Sequence, residues 1–137
     1  MVKTSRKTDY AIHALMILAR EDHDELSVNE IAEIENVSSS YLAKVMQKLS
    51  SAGIIKSSEG KSGGYSLDRT ADKISLSSVV KVLEENENIF DCVDEVHGCK
   101  IRDRCKIHEV FTNAYEKMLN ELSKTSIADI VDPELKK

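Results

Sequence analysis

The residues best suited to chemistry lie in one short segment that holds every cysteine of the chain. Cys92, Cys99 and Cys105 fall within 14 residues, and His108 follows three positions after the last of them, which gives the spacing C-x6-C-x5-C-x2-H. Three thiols cannot form a closed set of disulfides, because three is an odd number. Thiolate and imidazole are ligands of zinc and of iron–sulfur clusters, so the segment predicts a metal or cluster site.

The spacing alone leaves four interpretations of this segment open. An iron–sulfur cluster fits best, since it needs three or four thiolates and sometimes accepts a histidine. Zinc binding, a thiol switch that uses two of the three cysteines, and a chance grouping are the alternatives. His23 and His97 are expected in solvent rather than at the site. Carboxylate is a hard donor and a poorer ligand for such a cluster, which disfavours Asp91, Asp94, Glu95 and Asp103.

The elements that must position this segment begin with a helix-turn-helix pattern. An apolar block from about Thr8 to Arg20 predicts a helix that is buried on most sides. Ser27 and Glu30 form a capping-box pattern that starts a second, short helix. Ser38 starts a third helix, which ends near Gly53, a residue suited to the left-handed position after a helix. Two short helices joined by a tight turn are typical of the helix-turn-helix motif.

A hairpin is predicted directly after the third helix. Two short strand-like runs, at 54–56 and 65–67, flank a turn-rich segment that contains Gly60, Gly63 and Gly64. A helix-turn-helix followed by a hairpin is the winged-helix arrangement. We therefore expect a mainly α fold with a small β-hairpin, in which residues 1–83 form a winged helix-turn-helix DNA-binding domain.

Two further segments complete the predicted organisation. After an amphipathic helix that begins at Ser75, residues 84–105 break the helical periodicity and form the cysteine-containing loop. Residues 106–137 form a dimerisation helix and a tail, and the helix is predicted from Lys106 to Lys124. One side of this helix is an apolar stripe that a compact domain does not cover, so we expect it to pack on a second copy. The stripe consists of Ile107, Phe111, Ala114, Met118 and Leu122.

The third helix and the hairpin form the predicted DNA-binding surface. The chain is acidic, with a formal net charge of −5, but residues 38–63 contain four lysines and one acid, a pattern that permits DNA binding. Recognition helices place their first residues in the major groove, while lysines and hydroxyls hold phosphates. The alternative is an ordinary solvated helix face and turn. The predicted DNA-binding residues are Ser38, Ser39, Ser40, Tyr41, Lys44, Lys48, Lys61, Gly63 and Gly64.

Composition and motifs argue against several classes of protein. The longest apolar run, Ala14 to Ala19, has six residues, far fewer than the ~18 that a membrane helix requires. Without a signal-peptide pattern we expect a cytoplasmic protein, in which clustered thiols favour metal or redox chemistry. The sequence contains no complete phosphate-binding loop, no H-E-x-x-H and no C-x-x-C. We therefore expect neither an enzyme nor a small-molecule substrate.

Taken together, these residues resemble the IscR-type family of bacterial winged-helix transcription regulators. The resemblance rests on Ser38–Leu42, on the Gly-Gly-Tyr-x-Leu run of Gly63–Leu67 and on the trailing cysteines, and it extends from Lys3 to about Val131. It implies a homodimer that is paired through the long last helix and binds double-stranded DNA at a roughly palindromic operator. It further implies a regulator, with repression favoured, whose DNA binding is controlled by an iron–sulfur cluster.

Within this resemblance a 2Fe–2S cluster is favoured, and a 4Fe–4S cluster is the alternative. The signal sensed would be cluster, iron or redox status. One alternative function is a nitric-oxide-sensing repressor of the NsrR type. Another is a DNA-binding regulator controlled by zinc, by thiol oxidation or by a partner protein.

The resemblance leaves the fourth ligand of the cluster open. IscR-like relatives have a histidine three residues after the third cysteine, and His108 matches that position and is favoured. NsrR-like relatives supply a carboxylate from the first helix of the other subunit, and Asp9 matches that position. His13 shares a helical face with Asp9. It is a third and less favoured candidate, because some relatives use such a histidine.

One position departs from the family pattern. Relatives that bind DNA through the wing commonly carry an arginine just before the glycine-rich tip, where this chain has Glu59, followed by Gly60 and Lys61. A carboxylate repels phosphate, and narrow minor grooves attract positive side chains. We therefore hypothesise that Lys61 makes the wing contact with DNA; the alternative is that the wing contributes little.

Overall fold

A helix-turn-helix followed by a hairpin makes up the first half of the chain. The computed structural model describes residues 5–20, 25–60, 63–84, 100–101 and 104–131. The predicted fold, mainly helical with a small hairpin after a helix-turn-helix, is confirmed. In chain order the elements are α1 (Arg6–Leu18), α2 (Val28–Glu35), α3 (Ser39–Ser51), β1 (Ile55–Ser57), β2 (Tyr65–Leu67), a 3-10 turn (Ala71–Lys73), α4 (Leu76–Leu83), α5 (Lys106–Leu122) and α6 (Ile127–Ile130).

Local hydrogen bonds define the two helices of the helix-turn-helix. Ser27 Oγ accepts from the Glu30 N–H at 3.2 Å, and Glu30 Oε2 accepts from the Ser27 N–H at 2.8 Å, which confirms the predicted capping box. Asn36 ends α2 in the left-handed conformation, with a φ of 55°. Ser38 Oγ then accepts from the Tyr41 N–H at 3.2 Å and caps α3. The turn between the two helices is therefore fixed by its own side chains.

The wing is a two-stranded antiparallel hairpin that one further bridge ties to the chain before α2. β1 and β2 pair in the register Ile55–Leu67, Lys56–Ser66 and Ser57–Tyr65. Tyr65 and Leu26 exchange two backbone hydrogen bonds, at 3.0 and 2.7 Å. Gly64 permits this close approach, because a Cβ at that position would lie 2.7 Å from the backbone of Leu26.

An aliphatic core joins the helices into one winged-helix unit. Ala11, Ala14 and Leu15 of α1 are fully buried, which confirms that this helix is covered on most sides. α3 and α4 both pack against α1 and against each other. The inner stripe predicted for α3 is buried as well, and it consists of Leu42, Val45, Met46 and Leu49.

A short C-terminal helix that the sequence pattern did not predict returns to this core. Ile127 of α6 is fully buried, and its N–H donates to the carbonyl of Ile74 at 2.8 Å. Ser75 and Ser126 form an isolated antiparallel bridge beside it. The chain that leaves α5 is therefore fastened to the winged-helix unit at the point where α4 begins.

Several apolar side chains of the long helix α5 are exposed. It has 17 residues, and none of them is buried, although the helix contacts α4. Ile107 and Val110 are 55% and 61% exposed, and Phe111 is also exposed. Of the predicted apolar stripe, Ile107, Phe111 and Ala114 are exposed, whereas Met118 and Leu122 are half-buried. The division into residues 1–83, 84–105 and 106–137 stays a prediction, because residues 85–99 lie outside the described residues.

One carboxylate caps α1 from a distant part of the chain. Glu84 directly follows α4, and its Oε1 accepts from the Ser5 N–H at 3.0 Å, from Ser5 Oγ at 2.6 Å and from Thr8 Oγ1 at 2.6 Å. Thr8 is fully buried, and the Ser5 side chain makes no capping bond of its own. Negative charge is favoured at a helix N-terminus. Glu84 therefore fixes the first turn of α1 against the end of α4.

A second carboxyl group is buried without a hydrogen bond. The side chain of Glu35, at the end of α2, is 4% exposed, and neither of its oxygens has a hydrogen-bond partner in the described part of the chain. His13 Nδ1 lies 3.7 Å from Oε1, too far for a hydrogen bond. Burial raises the pKa of Glu35 to about 8. The neutral acid is therefore its main form at pH 7.

Removal of the Glu84 carboxylate is expected to destabilise the fold. In Glu84→Ala, the Ser5 N–H and the buried Thr8 hydroxyl lose their acceptor, so the free energy of unfolding should fall by about 2 kcal/mol. Urea denaturation at a fixed protein concentration measures the change. Glu33→Ala, on the exposed face of α2, is the matched control and should change the free energy by less than about 0.5 kcal/mol. If the two variants unfold at the same urea concentration, a capping role for Glu84 is contradicted.

Burial of Glu35 is expected to make the wild-type protein less stable as the pH rises. The folded protein holds this proton up to a pKa of about 8, whereas the ordinary pKa of a glutamate carboxyl is 4.5. Between these two values the folded state binds more protons than the unfolded state, so the free energy of unfolding falls with rising pH, by up to about 1.4 kcal/mol per unit.

The Glu35→Gln variant tests this pH dependence. An amide does not titrate, so the variant should lose this slope. Its stability relative to the wild type should rise from about pH 5 up to about pH 8 and stay constant above that. Urea denaturation from about pH 5 to pH 9 measures both proteins. Glu33→Gln, on the same helix but exposed, should follow the wild type. A Glu35→Gln curve parallel to the wild-type curve would show that the carboxyl is not buried as an acid.

Candidate nucleic-acid interface and cysteine site

The outer face of α3 presents the polar side chains that were predicted to meet DNA. Ser39, Ser40, Lys44 and Lys48 are all exposed, opposite the stripe that α3 buries in the core. Within the described residues, neither lysine has an ion-pair partner. Ser38 caps the start of the helix, so hydroxyls stand at its N-terminal end and lysines farther along. This is the arrangement that recognition helices use for base edges and phosphates.

Tyr41 is held at the start of α3 by an aromatic contact. Its ring meets that of Tyr10 in α1 edge to face, with centroids 5.8 Å apart and planes at 81°. Such pairs contribute about 1 kcal/mol beyond the area they bury. Tyr41 is still exposed on its other side, so the contact positions the ring without covering it. Tyr10 was not among the predicted site residues, and no local spacing signals a pair so far apart in the chain.

Backbone geometry explains why the turn of the wing carries glycine. The Gly63 N–H donates to the carbonyl of Gly60 at 2.9 Å, and the Ser58 N–H donates to the carbonyl of Gly64 at 2.9 Å. A Cβ at Gly63 would lie 2.8 Å from the Ser58 carbonyl oxygen. Both predicted glycines are therefore needed to form the turn, and their contact with DNA stays a prediction.

The charged residues of the wing leave its part in DNA binding open. Glu59 is exposed, in the position where an arginine was expected. The hydroxyl of Ser58 donates to the carboxylate of Glu25, which adds an acid at the base of the wing. Lys61, the predicted wing contact, lies outside the described residues.

Two of the predicted metal ligands lie together at the start of α5. Cys105 occupies the N-cap position, and His108 is the third residue of the helix, so the two side chains are neighbours at one helix end. The Cys105 thiol is free and half-buried. The positive end of the helix dipole favours an anion such as a thiolate. This part of the predicted site is therefore compatible with binding a metal.

The remaining predicted ligands are not assembled within the described part of the chain. Cys92 and Cys99 lie outside the described residues, and among those described no three His, Cys, Asp or Glu side chains gather as a metal site. Asp9 and His13 are both exposed on α1, one turn apart. His13 faces the buried Glu35 carboxyl, so its ring is oriented toward α2.

Comparison with known proteins decides the family. The family model described as "Rrf2: Iron-dependent Transcriptional regulator" matches residues 4–133. The chain belongs to the Rrf2 family. One similar curated protein is the HTH-type transcriptional regulator NsrR of Halalkalibacterium halodurans. It is 31% identical over 129 residues, which cover 93% of this chain and 88% of that protein.

Solved structures of other regulators share the fold of this Rrf2 protein. IscR of T. potens superposes with a TM-score of 0.70 at 26% identity, covering 93% of this chain and 85% of its own. CymR, the global cysteine regulator of B. subtilis, superposes with a TM-score of 0.68 at 26% identity, covering 96% and 97% of the two chains. These matches confirm the predicted winged-helix fold and the predicted family resemblance.

Membership of the Rrf2 family settles the class of function. The protein is a DNA-binding transcription regulator and not an enzyme, as predicted. None of the helices in the described residues is long and apolar enough to cross a membrane. The similar proteins are named as different regulators, so family membership alone does not assign the signal that this one senses.

Proposed function

We propose that this Rrf2 protein is a homodimeric cytoplasmic repressor whose operator binding is controlled by an iron–sulfur cluster. The observation that carries the proposal is the placement of Cys105 and His108 at the start of α5. This helix has exposed apolar side chains, and it contacts α4, which in turn packs on α3. A cluster at this point would influence both the pairing of two copies and the position of the recognition helix.

The donor set supports an iron–sulfur cluster over the alternatives. Cys92, Cys99 and Cys105 supply three soft thiolates, the minimum that such clusters usually require. The family is described as iron-dependent, which favours iron over zinc. We favour a 2Fe–2S cluster, with 4Fe–4S as the alternative. When bound, the cluster supplies a redox-active centre whose potential depends on its ligands and on the hydrogen bonds around it.

For the fourth ligand we favour His108. It lies beside Cys105 at one helix end, so a single chain could complete the site without a second copy. Asp9 of the partner chain is the alternative, supported by its exposure on α1. His13 is disfavoured, because its Nδ1 faces Glu35 at 3.7 Å.

The homodimer follows from the apolar stripe of α5. The exposed side chains of Ile107, Val110 and Phe111 lie near the start of a helix of 17 residues, about 26 Å long. A second copy of α5 offers the same apolar face, which is the self-complementary surface that twofold symmetry requires. Two copies also present two α3 helices. For such dimers, half-sites are spaced about 34–36 Å apart, and the operator is palindromic.

Nitric-oxide sensing is the second candidate for the signal. It is favoured by the 31% identity to a protein named NsrR over 93% of this chain. Cluster, iron or redox sensing is the first candidate, supported by the structural match to a protein named IscR. Both candidates share the three cysteine ligands and differ in what acts on the cluster. The resemblance also links them to different fourth ligands, His108 for the IscR-like candidate and Asp9 of the partner chain for the NsrR-like one.

Anaerobic reconstitution of the full-length protein tests the proposal. Wild-type protein supplied with iron and sulfide should become coloured, and its affinity for operator DNA, measured by fluorescence anisotropy, should differ at least about tenfold between cluster-bound and cluster-free forms. This corresponds to about 1.4 kcal/mol. Cys105→Ala should fail to take up the cluster, because it removes a thiolate. Titration with nitric oxide and with oxygen then ranks the two candidate signals.

Resonance Raman spectra of ligand variants identify the fourth ligand. His108→Ala should shift the iron–ligand bands, whereas His13→Ala, the matched histidine control, and Asp9→Ala should leave them unchanged. A shift in Asp9→Ala with none in His108→Ala would replace His108 by the partner's carboxylate. A colourless, zinc-loaded wild-type protein would contradict the cluster itself.

A further inference from the structure

A groove lined by lysines runs between the recognition helix and α4. It has a volume of about 770 Å³ and is open to solvent along its length. Two different helices contribute its charge, and no carboxylate lines it within the described residues. The lining residues that matter here are Lys44, Gln47, Lys48 and Ser51 of α3 and Lys81 and Val82 of α4.

Among the described residues, the three lysines of this groove have no partner of opposite charge. Within the part of the chain that the structure describes, Lys44, Lys48 and Lys81 form no ion pair. The next acid along α4 is Glu84, and its carboxylate accepts the hydrogen bonds of the first turn of α1. Three positive charges thus converge on one groove of a protein whose net charge is −5. Such a site attracts a polyanion.

The dimensions of α3 place this groove beside the DNA backbone. The helix has 13 residues and is about 20 Å long, whereas the major groove of DNA is about 12 Å wide. A recognition helix that inserts its first residues into the major groove therefore extends past the groove, and its second half lies over a phosphate strand. Lys48 lies in that second half, Lys44 lies just before the midpoint of α3, and Lys81 of α4 lines the same groove.

We propose that the DNA-binding surface continues from α3 onto α4, where Lys81 binds a backbone phosphate together with Lys48. The inference rests on the proposed docking of α3 in the major groove, and it adds a contact outside both the helix-turn-helix and the wing. Small-molecule sites are concave, mostly apolar and enclose their ligand, whereas this groove is open and lysine-lined. A continuous phosphate backbone fits such a groove better than a small anion.

A different role for Lys81 would be to stabilise α4 alone. Lys81 lies in the last turn of α4, where a positive charge interacts favourably with the helix dipole. That role explains neither the two lysines of α3 in the same groove nor the absence of any carboxylate among the residues that line it. The two roles also differ in what they predict, since only a phosphate contact changes the salt dependence of DNA binding.

The salt dependence of DNA binding tests the proposal. The probe is a fluorescein-labelled duplex of about 30 base pairs that the wild-type protein selects from a random library, and a scrambled duplex serves for comparison. Binding is measured by anisotropy from about 50 to 250 mM KCl, with full-length protein. In Lys81→Gln each protomer loses one phosphate contact, so the slope of log K against log[KCl] should become shallower by about 1.8 for the dimer, on both duplexes.

Two control variants complete the test. Lys81→Arg keeps the charge and should retain the wild-type slope. Lys73→Gln, on the exposed 3-10 turn, removes a lysine outside the groove and should also match the wild type. A Lys81→Gln slope equal to that of Lys73→Gln would overturn the proposal, and it would direct attention to an acidic protein partner. If the wild-type protein itself binds neither duplex in a salt-dependent way, the proposed function fails instead.

Discussion

The proposed dimer depends on the exposed apolar side chains of one helix. Ile107, Val110 and Phe111 are all exposed on α5, a helix without a buried residue. Transferring the exposed part of each side chain out of water contributes about 1 kcal/mol, and a symmetric partner doubles the number of side chains. Pairing of two copies through this face would set the distance between the two recognition helices. In the proposed dimer, the affinity for operator DNA would therefore depend on how tightly the two α5 helices pair.

A continuous series of contacts links that face to the DNA-binding surface. α5 packs on α4, and α4 packs on both α1 and α3. At the end of α4, Glu84 holds the first turn of α1 through three hydrogen bonds to its Oε1. At the other end of α5, Ile127 returns the chain to the core beside Ile74. The cysteine segment lies between α4 and α5 in the sequence, so a change there would act on both helices. Glu84 after α4 and Ile127 after α5 each bond to the winged-helix unit, so the change would reach that unit.

The sequence predicts those parts of this molecule that local patterns determine. The capping box of Ser27, the cap of Ser38 and the apolar stripe of α5 depend on residues three or four positions apart. Both caps are confirmed, and Ile107 and Phe111 of the stripe are exposed. The hydrogen bonds from Ser5 to Glu84 and the ring contact of Tyr10 with Tyr41 join residues far apart in the chain. Only the packed fold creates such pairs. The burial of Glu35 could not be predicted either. Glu35 lies at the end of a short helix, where the pattern of neighbouring residues does not distinguish a buried glutamate from an exposed one. For the cysteine site, the sequence names the candidate donors, and the structure shows that Cys105 is the N-cap residue of α5 and that His108 lies in its first turn.

Sedimentation equilibrium of the full-length protein is the most direct test of the central claim, that two copies joined through α5 form the DNA-reading unit. Wild-type protein should be a dimer at micromolar concentration, and Phe111→Glu should be monomeric, because it places a charge in the apolar stripe. Thr112→Glu adds the same charge one position away, off the stripe, and should remain dimeric. Loss of operator binding in Phe111→Glu alone would complete the predicted result. A dimeric Phe111→Glu variant, or a monomeric wild-type protein that binds operator with full affinity, would contradict the account.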